Sequence, residues 1–245
     1  RGLVSVGTGA QVVVPLADPA VPGAHLVTST YRSALPLGRP ETLGGWYRMG
    51  GVLSAGLVLE RVLSWLGAGW DEALAAVRTP LGAGSHDPVF LPHLAGERTP
   101  WLDPHLRGAW TGLGLEHDRR SLLRAALTGV ACTIADAWDA VGETGADAGV
   151  PLLVGGGSVD PAWRQLLADT LRTPLRPVAV SDASVLGAAA LALAGTGVRD
   201  LESSAQRLGE LAVASDAGLV EPRIDAIGPV LEVRARFEDA RHRLA

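Results

Sequence analysis

Leu152-Leu153-Val154-Gly155-Gly156-Gly157-Ser158-Val159-Asp160-Pro161 is the run on which the reading of this chain turns. Three apolar residues of strand character lead into a triple glycine, where the backbone can turn sharply, take positive φ and bring its amides close to an anion. Asp160 has N-cap chemistry and Pro161 suits the first position of a helix. That helix continues through Trp163, Leu166, Leu167 and Leu171, so its positive end faces the glycine loop. Strand, turn, cap and helix agree with one another, as they would at one edge of a nucleotide pocket.

A second glycine turn, Ser5-Val6-Gly7-Thr8-Gly9, follows Leu3-Val4 near the start of the chain. Gly-Thr-Gly between two β-rich runs also fits an ordinary hairpin turn. Taken with Gly155 to Ser158, it fits the opposite edge of a single phosphate and nucleoside pocket. A Walker loop is excluded, because that motif needs a lysine and all 21 basic residues are arginines.

Working outward, Leu3 to Pro15 reads as two strands around the first turn and His25 to Tyr31 as a third, an antiparallel meander. Gly51 to Leu66 carries Leu53, Leu57, Val58, Val62 and Trp65 at helical spacing, and a short helix over Asp71 to Val77 follows. Gly82 to Pro104 reads as loop framing a strand at Val89 to Leu91. Asp118 caps a long helix with Leu123, Leu127, Val130, Ile134, Trp138 and Val141 along one face, a core stripe. After the strand Leu152 to Val154 and the helix Pro161 to Leu171 come a strand near Pro177 to Val180 and an alanine-rich helix over Ala183 to Ala194. A meander followed by alternating helices and strands predicts an α/β layer fold with a mixed sheet. From Arg199 the chain turns charged and amphipathic, with segments at Leu201 to Leu211, Glu221 to Pro229 and a helix over Val230 to Leu244. Its alternating arginines and acids read as a solvated outer face with no binding role.

Composition narrows the function classes. At 245 residues and 47% hydrophobic the chain can bury a sizeable core. A net charge of -5, with arginines dispersed, leaves no basic stripe for nucleic acid and no polybasic anchor for a membrane. The apolar run Val185 to Ala194 is too short to cross a bilayer. The single cysteine, Cys132, rules out an internal disulfide, suits the cytoplasm and reads as an inert thiol in a helix. His25, His86, His93, His105, His117 and His242 stand singly and no Cys-x-x-Cys exists, so no metal-ligating residue is assigned. No Gly-x-Ser-x-Gly elbow is present and Ser158 has no identifiable histidine partner, which removes hydrolase logic and leaves phosphate handling. The chain opens at Arg1 inside a strand, and further sequence upstream is expected.

Leu91-Pro92-His93-Leu94-Ala95-Gly96-Glu97-Arg98-Thr99-Pro100-Trp101-Leu102-Asp103-Pro104, followed by Arg107 to Leu113, closely resembles the FGGY carbohydrate kinases, xylulokinase-like members above all. Gly7-Thr8-Gly9 is similar to that family's second phosphate turn, Gly155 to Ser158 to its adenosine motif, and Ser181 to Ala190 to its closing helix. The helix with Phe237 is similar to the family's end. Where the related glycerol kinases offer an asparagine, this chain has Pro161.

The resemblance implies the C-terminal half of a two-domain, actin-like and ribonuclease H-like kinase. Residues 1–198 would form the nucleotide-binding domain and 199–245 a helical tail packed on it. Such a kinase uses ATP with Mg2+ and phosphorylates a sugar, here xylulose or a related pentulose, that binds mainly to the other half. The family's first phosphate motif and its catalytic aspartate lie before the Gly-Thr-Gly turn, so no residue here is assigned as base and the half alone is expected to be inactive. Thr8, with the amides of Gly7 and Gly9, would cradle the β and γ phosphates. Gly56 would approach the α phosphate or ribose, and Gly156, Gly157 and Ser158 would hold adenosine. Glu97 and Arg98 border the cleft in the family and read as structural support, and Trp101, Trp110 and Trp163 as packing. An apolar surface left by the absent half would favour a homodimer. The competing reading is a non-catalytic, nucleotide-binding regulatory module of the same fold.

Overall fold

Val4 and Val6, then Ala10, Val12 and Val14, are buried at every second position on either side of the first glycine turn, the periodicity of strands with one face on a core. They form β1 (Leu3–Val6) and β2 (Ala10–Leu16), paired antiparallel. The computed structural model describes residues 1–16, 28–33, 45–81, 86–142, 148–178, 182–197, 200, 202–204, 206–207 and 218–244. Antiparallel to β2 runs β4 (Trp46–Val52), and β3 (Ser29–Arg32) pairs with β4 at the edge. On the other side of β1, β7 (Leu152–Val154) and β8 (Arg176–Pro177) add in parallel. The sheet order is β3-β4-β2-β1-β7-β8, mixed as expected.

Several elements differ from the sequence reading. β4 was not foreseen, and helix α1 (Gly56–Leu66) begins at Gly56 rather than Gly51. Glycines depress strand propensity. Gly50 is nevertheless paired with Val12, and a Cβ there would come within 3.0 Å of both Thr99 and Val141. The third strand is shorter than predicted, with His25 to Val27 outside the described residues, as are Ala179 and Val180 of the last strand. The short helix α2 spans Trp70–Ala76, one residue earlier than predicted. Strand β5 (Val89–Leu91) has an unforeseen partner, β6 (Ala109–Thr111), in a separate two-stranded sheet.

The long helix α3 (Arg119–Gly142) is capped as predicted, Ser121 donating its amide to Asp118 Oδ1 at 2.8 Å. It is not one-faced. Every residue from Ala125 to Ala135 is buried, because α3 lies between the large sheet, β5 and its neighbouring helices. Helix α4 (Pro161–Leu171) packs alongside it, and helix α5 (Ala183–Gly195) buries only Ala190. No described helix is long and apolar enough to cross a membrane.

The last helix, α6 (Ile227–Leu244), sits deeper than a solvated outer face. Phe237 and Ala240 join Val89, Leu91 and Cys132 in a second apolar cluster, where burial pushes the Cys132 thiol far up and keeps it unreactive. Two of the helix's arginines are staples. Arg234 donates to Asp136 at 2.7 Å and reaches Asp139 at 2.8 Å, while Arg236 donates to the Asp87 carbonyl at 2.6 Å. Two carboxylates thus share one guanidinium. Burial, opposed by Arg234 and reinforced by Asp139, pushes Asp136 up to about 6.

Candidate nucleotide-binding site

The two glycine turns leave neighbouring strands, β1 and β7, whose pairing sets Ser5 beside Val154. In the first turn the Gly7 amide donates to the Gly9 carbonyl at 2.8 Å, so it is spent inside the turn and not held out for the phosphates as expected of it. The start of α1 then grips the turn from behind: Gly56 donates to the Gly7 carbonyl and Leu57 to the Thr8 carbonyl, each at 3.0 Å. A trans peptide points its N–H opposite to its C=O, so both bonds turn the amides of Thr8 and Gly9 away from α1. Among the described residues those two amides meet no acceptor. The fit is tight, because a Cβ on Gly56 would stand 2.5 Å from the Gly7 oxygen.

The second turn is built differently. Gly155 has φ of +98°, and a Cβ there would stand 2.4 Å from the Val6 oxygen, so this position requires glycine for both reasons. Gly156 to Ser158 make one 3-10 turn. A Cβ on Gly157 would press on Val6 Cγ1 at 2.9 Å, whereas Gly156 has open space around it. Asp160 caps α4, accepting from Ala162 at 2.8 Å and Trp163 at 3.1 Å. The positive helix end expected to face a ligand is therefore already engaged by this chain's own carboxylate, and the edge it forms does not favour an anion.

Between the turns lies a hollow of about 640 Å³, within the size range of small-molecule sites. Gly7, Thr8, Gly56, Gly156 and Gly157 line it together. Gly9 does not: it backs onto β4, where a Cβ would stand 2.7 Å from the Val52 oxygen. Ser158 belongs to the second turn by its backbone, and its side chain lies outside the description. The sequence reading missed the apolar wall made by Leu59, Trp70, Leu74 and Leu127, and the acids Glu60 and Asp160. Trp70 carried a usable signal, a tryptophan opening a helix straight after Gly69, 42% exposed at the mouth. Trp163 is buried in the core and also forms part of the wall.

Trp101 and Trp110, also read as packing, lie away from the hollow. Trp101 lies under the Arg241 guanidinium at 4.7 Å and edge-on to His93 at 5.1 Å, and Trp110 stacks near Phe90 at 4.3 Å. Glu97 is buried, its carboxylate bound to main-chain amides, in keeping with a supporting role. Among the described residues no group of three or more His, Cys, Asp or Glu side chains converges to hold a metal.

Comparison with known proteins gives this geometry a lineage. The model of the FGGY family of carbohydrate kinases, C-terminal domain, matches residues 2–196. Relatives named xylulose kinase from Lactococcus lactis and Streptomyces coelicolor are 31% and 32% identical over 202 and 246 residues, covering 81% and 98% of this chain but 38% and 46% of their own lengths. A solved xyloylose kinase from Brucella ovis superposes with a TM-score of 0.81 at 29% identity, covering 99% of this chain and 47% of that one. A Plasmodium falciparum glycerol kinase solved with ADP shares the fold, with a TM-score of 0.79 at 19% identity and 99% and 47% of the two chains covered. The chain thus spans about half the length of the relatives it matches. Its mixed sheet flanked by helices is the actin-like fold of these kinases.

Proposed function

This chain belongs to the FGGY family of carbohydrate kinases, as their C-terminal domain, and we propose that it supplies the ATP-binding half of an ATP-dependent phosphotransfer to a sugar hydroxyl. Residues 1–198 form the nucleotide-binding domain in this reading, and 199–245 a tail packed on it. Xylulose or a related pentulose is the acceptor, on the strength of relatives that carry the name xylulose kinase. The protein works in the cytoplasm, and the sugar is held mainly by the partner half of the kinase.

The observation that carries the reading is the shared hollow of about 640 Å³ flanked by both glycine turns. Phosphoryl transfer asks the protein for positioning and charge neutralisation more than for covalent chemistry. The outward amide of Thr8, which lines the hollow, suits the β and γ phosphates with the Gly9 amide at the rim beside it, and the hydroxyl of Thr8 adds a donor at the same place. Gly56 brings the start of α1 close enough for the α phosphate or ribose. Gly156, Gly157 and Ser158, with Trp70 and Leu74 opposite, suit the uncharged nucleoside, for which an edge already occupied by the Asp160 carboxylate is no handicap. Mg2+ would arrive on the phosphates, its usual mode in such sites, with Glu60 and Asp160 as the acids on the same wall. Asp160 is committed to capping α4, and in this reading the base that takes the sugar's proton belongs to the half of the kinase that precedes the Gly-Thr-Gly turn, so no acid here is assigned to it.

Calorimetry of this chain with Mg·ADP tests the placement. Gly156→Leu is the informative variant, since Gly156 lines the hollow and a Cβ there meets nothing within 4 Å, whereas a Cβ at Gly157 already presses on Val6 of β1. ADP affinity should fall at least about tenfold in Gly156→Leu with the unfolding midpoint unchanged. Equal affinity in the two proteins would refute it.

A further inference from the structure

We propose that Glu97 is a positioning residue for the nucleotide phosphates, acting through the corner between β4 and α1 to hold the Gly7-Thr8-Gly9 turn in place. The inference rests on the nucleotide reading above and assigns a role to a residue that does not line the hollow. Glu97 is 2% exposed, and a carboxylate that deep in a protein persists only where something satisfies it. Its partners are amides. Oε1 accepts from Leu53 at 2.7 Å and from Arg98 at 2.8 Å, and Oε2 accepts from Ser54 at 3.2 Å with His93 Nδ1 at 3.6 Å. Burial alone would raise its pKa, but His93, the amides of Leu53 and Arg98 and the Ser54 side chain outweigh burial and hold the carboxyl below its ordinary value.

Leu53 and Ser54 are the two residues before Ala55, which occupies the N-cap of α1 and offers no capping side chain. Glu97 therefore satisfies, from 43 and 44 residues away, the two amides that lead into the helix start, and sets a negative charge beside that start. Thr99 repeats the grip one step earlier, accepting the Gly51 amide at 3.1 Å and donating its own amide to the Gly51 carbonyl at 3.0 Å. Directly after the corner come Gly56 and Leu57, whose amides hold the carbonyls of Gly7 and Thr8. Carboxylate, corner, helix start and phosphate turn form one unbroken line of main-chain bonds.

The rest of α1 does not depend on that line. Val58, Leu59, Val62 and Leu63 anchor the helix through its buried face, so weakening Glu97 should let the corner drift while the helix stays docked. The consequence is selective. Nucleoside contacts on the far edge keep their geometry, and only the phosphate end loosens.

Glu97→Gln is the sharpest test, because it preserves shape and one acceptor while setting an NH2 group against the Ser54 amide. Calorimetry on the 245-residue chain should show Mg·ADP binding weakened about tenfold and adenosine binding changed less than about twofold. Amide exchange at Gly56 and Leu57 should quicken in the same variant. Parallel loss of both ligands would mark an ordinary structural residue and overturn the proposal, as would unchanged affinity and unchanged exchange. Should the parent chain bind neither ligand, the nucleotide reading falls. Exchange at Gly56 and Leu57 then still decides whether Glu97 holds the corner: faster exchange in the variant supports it and equal exchange overturns it. If Glu97→Gln does not fold, Glu97→Asp keeps the charge but cannot span both amides, and the same split between ADP and adenosine is expected of it.

Discussion

The two glycine turns face one another across a single hollow, yet they are held by opposite means. The first is gripped through its carbonyls by the start of α1, leaving amides directed outward. The second ends in a helix whose leading amides are taken by Asp160, the residue immediately before it. Under the proposed nucleotide reading, similar sequence signals therefore yield one edge suited to an anion and one that is not.

Breaking the first edge should have the largest effect. In Gly56→Ala, better helix propensity offers about 1 kcal/mol, but a Cβ set 2.5 Å from the Gly7 oxygen forces the backbone apart, and overpacking of this kind costs roughly 1–3 kcal/mol. The clash should win. Mg·ADP affinity should drop more than about tenfold while adenosine binding holds, and calorimetry with the two ligands reads the difference directly.

The complementary change on the second edge is Asp160→Ala. Losing an N-cap costs about 1 kcal/mol of stability, measurable by urea unfolding. Two amides are released and a negative charge leaves the wall of the hollow, so Mg·ADP should bind as well as before or slightly better. A loss of ADP affinity as large as that of Gly56→Ala would erase the proposed contrast between the edges.

The smallest effect is a matter of pH. Glu97 titrates below its ordinary value near 4.5 in the folded chain, so its stabilisation is complete above that value and is lost as pH falls through the lower, folded one. Unfolding free energy should accordingly decline more steeply in the parent than in Glu97→Gln between about pH 5 and pH 3. Equal slopes would mean that the carboxylate contributes nothing to the corner.

How legible this was in the sequence depended on whether local rules agreed. The elements between Leu152 and Leu171 are legible because strand character, triple glycine, cap, proline and helical spacing all point the same way, although the capped helix end does not face a ligand as expected. β4 is not legible, since Gly50 and Gly51 suppress strand propensity and the strand exists through pairing with β2 and packing under Thr99 and Val141. The apolar wall of the hollow was hidden for another reason. Leu59, Trp70 and Leu127 come from three separate helices, and no periodicity connects them. The Arg234 pair with Asp136 and Asp139 was equally invisible, because alternating charge on a helix looks the same whether it meets water or another helix.

Since β1 and β7 are hydrogen-bonded neighbours in fixed register, the separation of the two edges where they leave the sheet is one inter-strand repeat, about 4.8 Å. No side chain is the ruler for that width. A gauge written into the peptide ladder can survive extensive replacement of the residues hung upon it, in keeping with the close superposition of a solved relative that agrees at 29% of positions.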